Sequence, residues 1–236
     1  MIEIDNIYNM DCLEGMKEIT DGTIDLVVTS PPYNLGEIHH TGNRRFSPYK
    51  DNLPEDEYQA QQIEVLNELC RVLKPNGSIM YNHKNRIRDG RQITPYEWIL
   101  KTDLIVKQEI VWFNGSQNFD KCRFYPMTER VYWLSKQTDT DFFNTINHHD
   151  FFNQSEWPSV GTNAIHKRAF PLQFARYLVA CFPNAETVLD PYMGSGTTAI
   201  ACIKEKRHFI GFELSKEYFD KAQKRIEAEQ SQLTLF

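Results

Sequence analysis

The chain has 236 residues, of which 41% are hydrophobic and 25% charged, and this ordinary globular composition suits one α/β domain. No run approaches the ~20 consecutive apolar residues of a membrane span, and the acidic start lacks the basic segment of a signal peptide, so we expect a cytosolic protein. The five cysteines are odd in number and never form a Cys-x-x-Cys pair, which excludes the usual zinc pattern and a disulfide framework; we predict no metal site.

Seven short apolar runs bounded by turn residues predict β-strands. They cover residues 6–10, 24–29, 77–82, 105–113, 129–135, 186–190 and 207–213. Helices are predicted over residues 12–19, 54–73, 171–182, 196–205 and 215–230. The clearest is the helix over 54–73, because Pro54 suits its first turn, three acidic residues follow, and an apolar stripe runs to Leu73. Since strands and helices alternate, we predict a single domain over residues 1–236 with a largely parallel sheet.

Two segments do not fit this alternation, residues 35–53 and 136–168, and both are too long to be plain connections. The net charge of −6 argues against nucleic-acid binding as an average over the chain, but local basic clusters in predicted loops can still contact phosphates. Scattered, solvated charge is the alternative interpretation of each cluster. The candidate DNA-contacting residues are Arg44, Arg45, Lys84, Arg86, Arg88, Arg91, Lys121 and Arg123.

Two motifs begin where a predicted strand ends. One is Thr29-Ser30-Pro31-Pro32-Tyr33-Asn34, at the end of the strand over 24–29. The other is Asp190-Pro191-Tyr192-Met193-Gly194-Ser195-Gly196-Thr197-Thr198, at the end of the strand over 186–190. Ligands of open α/β sheets bind at the carboxyl ends of the strands. We therefore predict that both motifs line one site.

Together the two motifs closely resemble those of the DNA amino-methyltransferases, which transfer a methyl group from S-adenosylmethionine to the exocyclic amine of adenine or cytosine. The first resembles the family's catalytic motif, in which Asp, Asn or Ser precedes Pro-Pro and an aromatic residue; the second resembles its cofactor loop. Because the catalytic motif comes first, the chain resembles the permuted β class. The resemblance implies a seven-stranded, mostly parallel Rossmann-like methyltransferase sheet with helices on both faces, and a short target-recognition insertion at about 136–168.

The resemblance implies catalytic roles for Ser30, Pro31, Pro32 and Tyr33. An exocyclic amine is a weak nucleophile because its lone pair is delocalised into the ring. The Ser30 hydroxyl and the Pro31 carbonyl would accept its hydrogens and aim the nitrogen at the methyl carbon, and the two prolines fix the backbone there. Tyr33 would stack on a base flipped out of the duplex. Ser in the first position favours N4 of cytosine as the target, with N6 of adenine as the alternative.

S-adenosylmethionine is the cofactor that the resemblance implies. Gly194 and Gly196 allow a tight turn close to the ligand, and the helix starting near Thr197 would direct its positive end at the methionine carboxylate. Asp190 would bind the ammonium group, and Glu213 the ribose hydroxyls. The full predicted cofactor set is Asp11, Cys12, Phe170, Asp190, Tyr192, Gly194, Ser195, Gly196, Thr197, Glu213 and Leu214.

Some of these assignments have competing interpretations. Asp11 would accept from the cofactor's adenine amine, or it would cap a helix. Glu213 would bind ribose, or it would start the helix that follows. Residues 125–129 resemble a family segment that helps form the base pocket, or they form an ordinary buried strand entry.

The function and the partners also have alternatives. An Asn-Pro-Pro-Tyr run serves protein glutamine methylation too, although those enzymes place the cofactor loop first, and a DNA-binding module without activity is a further hypothesis. The resemblance implies double-stranded DNA as the partner and allows a cognate restriction enzyme. The compact recognition region and the negative net charge favour a homodimer or a separate DNA-contacting protein.

Overall fold

A computed structural model describes residues 2–35, 51–115, 122–142, 149–154 and 171–233 of the chain. Its strands are β1 (Asn6–Tyr8), β2 (Ile24–Thr29), β3 (Leu73–His83), β4 (Arg86–Arg88), β5 (Arg91–Ile93), β6 (Ile105–Phe113), β7 (Thr128–Ser135), β8 (Phe151–Asn153), β9 (Thr187–Asp190) and β10 (His208–Phe212). Its helices are α1 (Cys12–Lys17), α2 (Glu55–Val72), α3 (Tyr96–Ile99), α4 (Leu172–Ala180), α5 (Thr197–Lys204) and α6 (Lys216–Leu233).

One mixed sheet organises these elements, with the strand order β1-β10-β9-β2-β3-β7-β6-β8. Only β7 runs antiparallel to its neighbours in this sheet; the remaining pairs are parallel. The predicted α/β architecture with a mostly parallel sheet is confirmed. The described part of the sheet has eight strands instead of the predicted seven. The additional strand, β8, lies within the predicted recognition insertion and pairs with β6, so part of that insertion extends the sheet.

The core consists of two apolar layers, one on each face of the sheet. Alternate residues of β2 supply them: Leu26 and Val28 face the layer that includes α4 and α5, whereas Val27 faces the layer that includes α1 and α2. Side chains of a strand point alternately to opposite faces, so a strand buried on both faces reads as the continuous apolar run seen here. Helices therefore cover both faces, as predicted.

The structure adds elements that the apolar pattern did not predict. β4 and β5 form a two-stranded hairpin around Asp89 and Gly90, whose φ angles of 51° and 78° are both in the left-handed region. An Asp-Gly pair is a strong hairpin signal, but it stands here among basic residues that indicated a loop. α3 follows, and its Trp98 is fully buried. No helix in the described ranges is long and apolar enough to cross a membrane.

Candidate active site

The two predicted motifs meet at one edge of the sheet. β2 and β9 are parallel neighbours, so their carboxyl ends lie side by side. Thr29, the last residue of β2, donates its hydroxyl hydrogen to Asp190 Oδ1 over 2.8 Å, although the two residues are 161 positions apart. β10 pairs with β9 on the other side and brings Glu213 to the same edge. The structure thus joins the catalytic run, the cofactor loop and the carboxylate after β10.

Asp190 braces this junction. It is 4% exposed and also accepts hydrogen bonds from the Thr198 hydroxyl at 2.6 Å and from the Tyr192 amide at 3.0 Å. Burial raises the pKa of the Asp190 carboxyl to about 6, and its three hydrogen bonds act in the opposite direction. These bonds fix the cofactor loop to the end of β2. The ammonium contact proposed from the sequence stays a prediction.

The cofactor loop turns as its glycines predict. Gly194 and Gly196 have φ angles of 54° and 85°, which residues with a side chain rarely adopt. The Gly194 amide donates to Glu213 Oε2 at 2.8 Å, and the Ser215 amide donates to Glu213 Oε1 at 2.6 Å. Glu213 is 2% exposed, so two backbone amides hold its buried carboxylate beside the loop. Arg225 from α6 donates to the Ser195 hydroxyl at 3.1 Å and secures the loop from behind.

A cavity of about 390 Å³ lies beside the loop and reaches from Pro32 of the catalytic run to Glu213. Five of the predicted cofactor residues line it: Asp11, Cys12, Tyr192, Glu213 and Leu214. From the catalytic side, its lining includes Pro32 and Asn34 of the catalytic run, Asp51 and Leu53, and Tyr58, Gln61 and Gln62 of α2. Asp190, Gly194, Ser195, Gly196 and Thr197 are outside this lining and form the loop behind it. Phe170 lies outside the described residues.

Asp11 and Cys12 follow β1, at the start of α1, and line this cavity. Asp11 Oδ1 accepts from the Leu13 amide at 2.8 Å, which makes Asp11 the N-cap of α1. The competing role considered from the sequence is therefore present, and the adenine contact remains a prediction. Cys12 is 7% exposed, and burial followed by the negative charge of Asp11 raises the pKa of its thiol to about 12.

The catalytic run is held by polar side chains of β3 and β7, and Asn114, just after β6, supports them. The hydroxyl oxygens of Ser30 and Tyr33 are 2.8 Å apart, and Tyr33 donates to Glu129 Oε2 at 2.9 Å. Asn82 Nδ2 lies 3.3 Å from Ser30 Oγ and 3.1 Å from Glu129 Oε2, and it also contacts the Tyr33 hydroxyl. Asn114 Nδ2 donates to Glu129 Oε1 at 3.1 Å. Burial and the negative Glu129 hold the pKa of Tyr33 well above its ordinary value, so its hydroxyl stays protonated.

Tyr58 fixes the Pro-Pro turn from α2. Its hydroxyl lies 2.7 Å from both the Pro32 carbonyl oxygen and His83 Nε2. His83 Nδ1 lies 2.8 Å from the Lys84 carbonyl oxygen, which can only accept a hydrogen bond. Burial lowers the pKa of His83 to about 3, so the ring is neutral and carries its proton on Nδ1. The Tyr33 ring packs on His83 at 4.6 Å between centroids, which orients the aromatic ring of the catalytic run.

One predicted DNA-contacting residue needs correction. The Arg86 side chain is 4% exposed, and Glu55 binds its guanidinium group bidentately at 2.7 and 2.8 Å. It also lies over the Tyr58 ring at 4.7 Å. Arg86 is therefore a buried structural cation that pairs with Glu55 and packs on Tyr58, and it does not present its charge to a phosphate. The basic cluster in the sequence gave no sign that Glu55, 31 residues earlier, would neutralise it.

The other described basic candidates are more exposed than Arg86. The Arg91 side chain is 73% exposed and pairs with Glu97, and the Arg88 side chain is 34% exposed and pairs with Glu55. Arg123 is exposed and donates to the Gly90 carbonyl at 3.1 Å, which ties its loop to the tip of the β4–β5 hairpin. Lys84 is half-buried at the end of β3. Arg44, Arg45 and Lys121 lie outside the described residues.

The polar residues that surround Ser30 were mostly missed from the sequence. Asn82 follows the buried apolar residues of β3, so a polar side chain at the carboxyl end of a strand was an available signal. Glu129 is the last residue of segment 125–129, for which the family resemblance implied a part in the base pocket, but its contact with the catalytic run was not predicted. It stands at the start of β7. A strand start reaches the carboxyl edge of a parallel sheet only when that strand runs antiparallel, and β7 does so.

A cavity that reaches a Ser-Pro-Pro-Tyr run, on a mostly parallel α/β sheet, is the arrangement that the resemblance to methyltransferases predicts. The sequence model of the DNA methylase family that comprises N6 and N4 methyltransferases matches residues 24–224, and the chain belongs to this family. It is thus a DNA methyltransferase of the type that depends on S-adenosylmethionine and modifies an exocyclic amine. The resemblance stated from the two motifs is confirmed.

Individual relatives and structures agree with this assignment. The chain is 27% identical over 262 aligned positions to the type II methyltransferase M.BglII from Bacillus subtilis, covering 96% of this chain and 70% of that protein. The solved structure of the PvuII DNA methyltransferase, named as cytosine-N4-specific, superposes with a TM-score of 0.76 at 22% identity, covering 98% of this chain and 92% of that one. M1.HpyAVI, solved in complex with S-adenosylmethionine, superposes with a TM-score of 0.63 at 22% identity, covering 94% and 98%. These likenesses confirm the fold.

Proposed function

We propose that this chain methylates N4 of cytosine in double-stranded DNA. The observation that carries the proposal is the position of Ser30 and Pro31, which stand at the end of β2 beside a cavity that reaches Glu213. The Ser30 hydroxyl and the Pro31 carbonyl accept the two amine hydrogens and orient the nitrogen toward the methyl donor. Tyr33 presents one ring face to His83, and its other face stacks on the flipped base.

The proposed cofactor is S-adenosylmethionine, which supplies the methyl group as a sulfonium. The residues present fit such a group, since the cavity has three carboxylates, Asp11, Asp51 and Glu213, for its polar atoms and apolar walls for its adenine. Glu213, oriented by two backbone amides, would hold the ribose hydroxyls, and Asp11 would accept from the adenine amine. The Gly194–Thr197 loop would hold the methionine part, with Asp190 bracing it.

The proposed DNA surface surrounds the catalytic run. Arg88, Arg91, Arg123 and Lys84 form its described positive part, and they would contact phosphates beside the flipped base. A homodimer and a cognate restriction enzyme remain proposals from the sequence. Such a substrate would place the activity in the cytosol.

N6 of adenine is the alternative target, because the matched family contains both kinds of enzyme. The hydrogen-bond chemistry at Ser30 suits either amine. We propose cytosine instead of adenine because Ser occupies the first position of the catalytic motif.

A product analysis tests the proposal. The purified chain is incubated with labelled S-adenosylmethionine and unmodified genomic and plasmid DNA, and the digested nucleosides are identified by mass spectrometry. We expect N4-methylcytosine. N6-methyladenine would keep the mechanism and replace the target. Absence of any methylated nucleoside, with cofactor binding measured in the same preparation, would contradict a DNA methyltransferase that acts alone.

A matched variant controls for contaminating enzymes. Ser30→Ala removes the hydroxyl acceptor at the amine while the cofactor cavity stays intact, since Ser30 does not line it. We expect cofactor affinity to be unchanged and product to fall by about 100-fold or more. Equal product from the variant would assign the activity to another protein in the preparation.

A further inference from the structure

Glu129 belongs to a hydrogen-bond chain whose direction the atoms themselves determine. A carboxylate can only accept hydrogen bonds, so the single hydroxyl proton of Tyr33 points to Glu129 Oε2, 2.9 Å away. Tyr33 has no second proton to give. In the 2.8 Å contact between the two hydroxyls, Ser30 must therefore be the donor. The Ser30 proton is committed to Tyr33, and the Ser30 oxygen faces the substrate as an acceptor.

Two amides keep this direction fixed. Asn82 Nδ2 donates toward Ser30 Oγ and Glu129 Oε2, and Asn114 Nδ2 donates to Glu129 Oε1. Three donors, from Tyr33, Asn82 and Asn114, thus converge on the Glu129 carboxylate. Asn82 is fully buried, so its amide cannot exchange these bonds for water. The chain runs in one direction, from Ser30 through Tyr33 to Glu129.

From this arrangement we infer that Ser30, Tyr33 and Glu129 act as a proton relay, with Glu129 as the final acceptor for the proton that the amine loses on methylation. The inference rests on the proposed function. The new nitrogen–carbon bond forms as the carbon–sulfur bond of the sulfonium breaks, and that electron pair stays on sulfur. The amine proton passes to Ser30 Oγ, the Ser30 proton to Tyr33 Oη, and the Tyr33 proton to Glu129. Glu129 is half-buried and can release the proton to water afterwards.

The relay gives Tyr33 a second role besides stacking on the base. A phenylalanine in this position would keep the ring face and its packing on His83 but would interrupt the chain between Ser30 and Glu129. Glu129 touches neither the base nor the cofactor in this scheme, so it is a positioning and proton-accepting residue that acts through Tyr33. The role of the Tyr33 hydroxyl and the role of Glu129 can be tested separately.

The experiment measures single-turnover methyl transfer at saturating cofactor and DNA, on the DNA that the product analysis identifies. Tyr33→Phe, Glu129→Gln and the double variant are compared with the wild type. We expect each single variant to lower the rate by about 100-fold, within the range of general acid–base contributions. Because one broken link already disables the relay, the double variant should be as slow as the single variants, far from the product of the two losses.

A neighbouring carboxylate provides the matched control. Glu109 lies on the adjacent strand β6, is half-buried and accepts from Arg130 at 2.7 Å, but it has no bond to the catalytic run. Glu109→Gln should leave the transfer rate within about twofold of wild type, since it stands outside the relay. Thermal unfolding of all variants identifies any loss of folding.

Three results would overturn the relay. One is a wild-type rate in folded Glu129→Gln. Another is a loss confined to DNA affinity, with an unchanged rate at saturation, because that would make Glu129 a base-binding residue. The third is a double variant whose losses multiply. A wild-type chain without activity on any DNA would instead contradict the proposed function, so the two failures are distinguishable.

Discussion

The cofactor half and the catalytic half of this active site are built in different ways. In the cofactor half, Asp190 and Thr198 bond over eight positions of sequence and the turn is made by glycines of the same motif. In the catalytic half, Tyr33 and Glu129 bond over 96 positions, and the contact depends on an antiparallel strand. The turn of the cofactor loop is thus made within one motif, whereas the contact between Tyr33 and Glu129 exists only after the sheet has formed.

Among the substitutions that test this contrast, we expect the largest effect from Gly194→Val, in the cofactor half. Its φ of 54° strains any other residue, although a Cβ there would meet nothing closer than the Tyr192 carbonyl oxygen at 3.9 Å. Gly194→Val must either retain the strain or move the amide that donates to Glu213. We expect cofactor affinity to fall by about 10- to 100-fold, as backbone strain of this kind suggests. Isothermal titration with S-adenosylmethionine measures it.

Gly22 is the control for backbone strain. Its φ is 66°, a Cβ there would have no neighbour within 4 Å, and its turn lies before β2, outside the cofactor cavity. Gly22→Val should lower the unfolding free energy by an amount similar to Gly194→Val while leaving cofactor affinity unchanged. Equal losses of cofactor affinity in both variants would show that the glycines act through global stability. The conformation of Gly194 would then have no specific part in cofactor binding.

A smaller effect is expected at Tyr58, which supports the catalytic half. Tyr58→Phe removes the hydroxyl that fixes the Pro32 carbonyl and leaves the ring beneath Arg86 in place. Loss of one such bond should lower turnover at saturating cofactor by about 3- to 10-fold. Steady-state kinetics at saturating cofactor checks this.

Tyr177 on α4 is the matched control for Tyr58, because its hydroxyl also donates to a backbone carbonyl, that of His149, at 3.4 Å. Tyr177→Phe should not change turnover. If both variants lowered turnover alike, the Tyr58 bond would have no special part in holding the catalytic turn.

The same contrast explains what could be predicted from the sequence. The order of strands and helices follows from apolar periodicity, and the cofactor loop could be predicted because Asp190 to Thr198 is continuous in the chain. Arg86 was misassigned because a basic residue carries no mark of its partner, here Glu55. The bond between Tyr33 and Glu129 could not be predicted because the direction of β7 is a property of the whole sheet. Errors thus fall where function depends on contacts between distant strands.

Asp190 connects the cofactor half to the catalytic half. Of the effects predicted here, the change that its titration causes in the unfolding free energy should be the smallest. Burial raises its folded pKa to about 6 from an ordinary value of 3.8, so its contribution to stability is fully present below pH 3.8 and is lost as pH rises through about 6. Relative to Asp190→Asn, the unfolding free energy of the wild type should therefore decrease across that window and then level off. Urea unfolding at a series of pH values measures the difference.

Thr198→Val tests the origin of this slope. It removes a hydroxyl that donates to the Asp190 carboxylate and favours its ionised form, so the folded pKa should rise further and the window should extend upward. If the unfolding free energy of Asp190→Asn still decreases with pH across this window, the decrease is due to another titrating group. If Asp190 also binds the cofactor's ammonium, cofactor affinity will rise through about pH 6 in the wild type and stay flat in Asp190→Asn. An affinity that is flat in both confines Asp190 to its role as the brace between the cofactor loop and the end of β2.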